Sequence, residues 1–116
     1  MYSAHLRFLI AFISVTFVAA GCASVNYVGK SLEPTNTVEV YFDKAEISRE
    51  YTVIGQAIGS GVWRSYDTIQ KKMIEEAKLK GADAILITGI GRSHVPIGDS
   101  GQANENQINA AFVKYK

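Results

Sequence analysis

One stretch of this chain carries a helical period, and the segments on either side of it carry a strand period. In residues 68–80, Ile69, Met73, Ile74 and Ala77 fall within one arc at 100° per residue, with Lys71, Glu75 and Lys78 opposite. Asp67 reads as the N-cap, Gln70 completes a capping box, and Gly81 is the stop. Lys71/Glu75, Lys72/Glu76 and Glu76/Lys80 are oppositely charged pairs four residues apart, each worth only ~0.2–0.5 kcal/mol. Leu79 lies on the polar side. A lone helix must bury its apolar stripe against a sheet, so the rest of the chain has to supply one.

Four strand patterns are available. In residues 37–43, Val38, Val40 and Phe42 alternate with polar partners. Residues 51–58 follow, with Gly55 marking a bulge or a close backbone approach. Residues 82–90 carry Ile85, Leu86, Ile87 and Ile90 almost without interruption, as a strand buried on both faces would. Residues 107–115 are the fourth. Between them, 44–50 and 59–66 read as connections, and 91–106, with Pro96, Gly98 and Gly101, as a long loop.

The expected fold is α+β with order β-β-α-β-β: one mixed four-stranded sheet and a single helix packed on one face. The helical crossover makes the second and third strands parallel, while the first and second, and the third and fourth, form antiparallel hairpins. Val40, Phe42, Val53, Ile69, Met73, Ala77, Ile85 and Ile87 are the expected core.

The N-terminus bounds the rest. Residues 8–20 are apolar but for Ser14 and Thr16. The run falls short of the ~20 apolar residues a spanning helix needs and matches the core of a secretory signal. Ala19, Ala20 and Gly21 then precede Cys22, the sole cysteine. This junction resembles the lipobox of bacterial lipoproteins, with Ala19 where Leu is usual. The resemblance implies a signal peptide over 1–21, lipid on Cys22, and Ala23 in the position that directs Gram-negative lipoproteins to the outer membrane. Residues 22–36 read as a lipidated tether and 37–116 as one domain facing the periplasm. Lys and Arg total 12 against 11 Asp and Glu. Losing Arg7 leaves the mature chain neutral, which argues against a nucleic-acid partner.

The run from Tyr51 to Gly55 and the stretch from Ile74 to Ile85, with its Ala77-Lys78 and Gly81-Ala82-Asp83-Ala84, resemble RcsF-type stress-sensor lipoproteins and the YbjQ-like family. The resemblance covers roughly 37–90 and implies the strand-strand-helix-strand-strand domain. RcsF-type signalling depends on paired disulfides, which a single cysteine cannot supply. The heavy-metal binding described for the YbjQ-like family has no Cys or His cluster here to support it.

The topology gathers 59–66, the helix N-terminus and 91–106 at one edge, and with them Trp63, Arg64, Tyr66, Arg92 and His94. Trp, Tyr and Arg dominate binding hot spots. His94 is the only histidine after the signal, and with Ser93 and Asp99, or Asp99 and Glu105, it lies in a Gly-rich segment ill suited to catalytic geometry. The expectation is a non-enzymatic, membrane-anchored envelope lipoprotein without a cofactor. It would act as a protein-interaction, self-associating, sensor or scaffold module through this edge. A small-ligand or metal-binding domain, or an enzyme, using the same edge is the alternative. A rival surface is the sheet face away from the helix, with Tyr41, Leu86 and Tyr115.

Overall fold

The computed structural model describes residues 23–99 and 101–116. The signal peptide and the lipidation of Cys22 fall on residues outside these. The fold is α+β, and the described residues form one helix and a five-stranded mixed sheet rather than the four-stranded one expected. The elements are β1 (Ser24–Gly29), β2 (Glu39–Tyr41), a 3-10 turn (Lys44–Glu46), β3 (Tyr51–Val62), α1 (Tyr66–Lys80), β4 (Ala84–Ile97) and β5 (Gly101–Tyr115). The strand order is β1-β3-β5-β4-β2.

The added strand comes from the segment read as a tether. In β1, Val25 and Tyr27 pack on the core while Ser24, Asn26 and Val28 stay exposed. Tyr27 stacks on Phe112 with ring centroids 4.8 Å apart. β1 pairs antiparallel with β3, from Ser24 opposite Ser60 to Gly29 opposite Gly55.

β2 and β3 do not form the expected hairpin: β2 lies at the other sheet edge, parallel to β4. The reason is visible at the helix C-terminus, whose last carbonyls lack intrahelical partners. Leu32 N donates to Lys80 O (2.8 Å) and Thr35 N to Lys78 O (3.0 Å), which draws the chain across the end of α1 to the far edge. The return link lies over the face away from the helix, where the Arg49 guanidinium sits 4.1 Å from the Tyr115 ring centre. Tyr41, Leu86 and Tyr115 are therefore half-buried. The two tyrosine hydroxyls lie 2.9 Å apart, and each lies 2.9 Å from an oxygen of the Glu39 carboxylate, which accepts from them.

β3 and β4 run in the same direction, as the crossover requires, but β5 is inserted between them and is antiparallel to both. The irregularity at Gly55 is a register shift between Val53 and Gly55.

The helix begins at Tyr66. Ser65 is its N-cap, accepting from Thr68 N at 3.2 Å. Asp67, expected as the cap, lies in the first turn and pairs with Lys71 at 3.1 Å, where Glu75 was the expected partner. Glu76–Lys80 is present at 3.7 Å. Gly81 ends the helix in the left-handed region (φ 81°) that favours glycine.

The core lies between helix and sheet. Ile69, Met73, Ala77, Ile85 and Ile87 are buried as expected, joined by Ile54, Ala57, Ile108, Ala110 and Phe112. Gly59 lets the helix approach: a Cβ there would stand 2.8 Å from Ile69 and 2.9 Å from Met73. Val40 is half-buried against the core, but Phe42 and Val53 are exposed at 60% and 44%. Phe42 lies just past the end of the edge strand β2, and Val53 pairs with Val113 on the face the helix does not cover.

Candidate binding end

Residues 91–106 are not a loop. β4 and β5 continue as a regular antiparallel hairpin as far as Ile97 opposite Gly101. β3 stops at Val62, opposite Glu105, which in turn pairs with Ser93. The four rungs beyond, His94–Asn104 to Ile97–Gly101, form a two-stranded arm with no third strand. A glycine-rich tip around Gly98 (φ 63°) closes it.

The arm is clamped where it leaves the sheet. Asn106 Nδ2 donates to Arg64 O (2.7 Å), and its Oδ1 accepts from Arg92 Nε (3.1 Å). The Tyr66 hydroxyl donates to Gly91 O (3.1 Å), and Trp63 N to Asn104 O (2.9 Å). The structure thus brings Trp63, Arg64, Tyr66 and Arg92 together. The residue that joins them, Asn106, carries no sequence signal, being one of several Asn in a polar stretch.

Trp63 is the one non-glycine residue among those described with positive φ (54°), and it is 66% exposed. A bulky side chain in the left-handed region costs roughly 1–2 kcal/mol. Here the backbone bond to Asn104 and the turn from β3 into α1 hold it. Arg64 and Tyr66 are half-buried, and Arg92 and His94 exposed.

His94 stands apart from this cluster, opposite Asn104. Consecutive strand residues point to opposite faces, so Ser93 and His94 are turned away from each other. Among the described residues no three His, Cys, Asp or Glu side chains converge. Pro96, Gly98, Asp99, Gly101 and Gln102 line a shallow, open depression at the tip.

A lone helix on one face of a five-stranded mixed sheet, with a projecting hairpin, defines the class of domain. Among solved structures it is similar to the crystal structure of the Francisella virulence factor FvfA, with a TM-score of 0.52 and 20% identity over 78% of this chain and 97% of that one. At that identity the likeness concerns the fold alone. No protein-family model matches the chain, and no curated protein matches it either.

Proposed function

We propose that this chain is a non-enzymatic lipoprotein of the bacterial envelope. Lipid on Cys22 holds it at the outer membrane with its domain in the periplasm, and it serves as an interaction or scaffold module. Its relation to RcsF-type and YbjQ-like proteins belongs to this reading, on the segments quoted above. The binding end is the clamp of Trp63, Arg64, Tyr66 and Arg92 with the β4–β5 arm that carries His94. The observation that supports it best is Trp63, a large aromatic ring left 66% exposed on a backbone conformation that disfavours it. Strain of that kind is retained where a side chain must be presented. A second reading puts a protein contact on the sheet face away from the helix, where Val28 and Ile58 are exposed at 80% and 46%.

Two measurements test the reading. Mass spectrometry of the mature N-terminus is expected to find acyl chains on Cys22; an unmodified Cys22, or cleavage elsewhere, removes the anchor. A photo-crosslinking side chain at position 63 in intact cells is expected to capture a neighbour, and one at Leu79 none. Equal capture at both positions, or none at 63, removes the binding end.

A further inference from the structure

We propose that the Trp63 end rests on the phospholipid surface to which the chain is anchored, with the Trp63 ring at the boundary between headgroups and acyl chains. The inference rests on lipidation of Cys22 and names the partner of the same end.

Position carries the argument. β1 starts at Ser24, opposite Ser60, and Ala23 is 5% exposed. The Ala23 Cβ lies 3.5 Å from where a Cβ on Gly61 would stand, and Gly61 is two residues before Trp63. Cys22 is joined to Ala23 by one peptide bond, which places their Cα atoms about 3.8 Å apart. Lipid on Cys22 therefore leaves the domain at the Trp63 end, without a spacer. Fourteen extended residues of tether would have allowed a reach of roughly 45 Å; instead those nearest the anchor are committed to β1 and the core. With one residue between the folded chain and the acylated cysteine, this end is held beside the bilayer.

The side chains suit that surface. Trp63 and Val62 at the end of β3 are exposed at 66% and 40%, Ile90 in β4 at 55%, and Ile97 on the arm at 41%. Indole rings favour the membrane interface, where the apolar body and the N–H are both accommodated. Arg64, next to Trp63 in the chain, and Arg92, linked to Arg64 O through Asn106, have stems long enough to lie along apolar surface while the guanidinium reaches lipid phosphate. Glu105 and Asp99 offset these cations, so the contact does not depend on anionic lipid.

Trp63 is the only tryptophan in the chain and reports on itself. The mature, lipidated protein is reconstituted into phosphatidylcholine vesicles, plain or brominated on the acyl chains near the headgroup. Trp63 emission is expected to shift to the blue, to lose most of its intensity to bromolipid, and to resist iodide in the water. In a Trp63→Phe, Leu79→Trp variant, which moves the probe to the other end of the helix, emission is expected to stay water-like and open to iodide. If the mass spectrum shows acylated Cys22 while Trp63 behaves like the probe at 79, the inference falls and the lipoprotein reading stands. If Cys22 from cells is unmodified, both fall. Equal bromolipid quenching at 63 and 79, or burial of Trp63 in native membranes but not in vesicles, also overturns it; the latter would put a protein over the ring.

Discussion

The root and the arm of the β4–β5 hairpin use the same backbone ladder in opposite surroundings. At the root, Ala84, Ile85 and Ile87 and the run of Ala110, Ala111, Phe112 and Val113 are buried, with the helix on one side and the Arg49 link on the other. Past the register shift between Ile87 and Gly89, β4 is exposed or at most half-buried as far as Ile97. A two-stranded ribbon is marginal by itself, and of the arm's described residues Ala103, opposite Val95, is the one that is buried. The arm is held instead by polar contacts at its base, where Asn106, Arg92 and Tyr66 tie it to the turn carrying Trp63. Burial fixes the root, and hydrogen bonding at a few points fixes the direction of the arm.

The largest effect should come from emptying the root. Phe112 is fully buried and stacked on Tyr27, and Phe112→Ala should cost about 3–5 kcal/mol in denaturant unfolding. A loss below about 1 kcal/mol would mean that the root does not differ from the arm in the way described.

A second effect appears at high pH. Burial, then hydrogen bonding with the Tyr41 hydroxyl and to the Glu39 carboxylate, pushes the Tyr115 phenol well above its ordinary 10.0. An acid raised on folding leaves stability intact below its unfolded value and drains it as pH climbs past that value. Melting temperature should therefore be flat towards neutrality and fall above pH ~10. Tyr115→Phe should cost about 1 kcal/mol at neutral pH and flatten the alkaline slope, leaving the share of Tyr27, which burial also raises. An unchanged slope in the variant would assign the alkaline loss elsewhere.

At the clamp, Trp63→Gly should leave the fold as stable as before or gain up to about 1 kcal/mol, because glycine adopts φ 54° without strain. Chemical denaturation decides it, and a clear loss would show that the ring packs on the domain. The smallest effects belong to exposed side chains outside the root: Ile90→Ala in the outer part of β4, or Leu79→Ala on the exposed side of the helix, should stay within about 0.5 kcal/mol of the parent. A larger loss at Ile90 would mean that the outer part of β4 has an apolar cover of its own.

Legibility in the sequence follows the same division. The helix face and its end at Gly81 were readable, because Ile69, Met73 and Ala77 repeat with the helical period and Gly81 interrupts it. The shift at Gly55 was readable from a glycine inside an apolar run. The arm was not, since Val95, Ile97 and Ala103 make too sparse an apolar face to mark two strands, and Pro96, Gly98 and Gly101 imitate a loop. β1 did show alternation at Val25 and Tyr27, but Asn and Pro nearby outweighed it. The insertion of β5 between β3 and β4 leaves no mark on any single strand's pattern, because order in a sheet is decided by connections. Trp63, Arg64, Tyr66 and Arg92 share one end because the β3–α1 turn and β4 meet at Asn106, while His94 lies further out on the arm. Neither the hub role of Asn106 nor the φ of Trp63 can be read from residue type.

β1 has a mechanical consequence. It is an edge strand held to β3 through six residue pairs, with ladder bonds perpendicular to its length. A pull on Ala23 directed outward along the strand axis loads those bonds together in shear, instead of opening them one after another from a free end. Beyond β1 the load passes through Lys30 N to Ile54 O, then through Leu32 and Thr35 to the last turn of the helix. Tension applied at Ala23 is thus spread over the sheet and the helix before any single contact has to give.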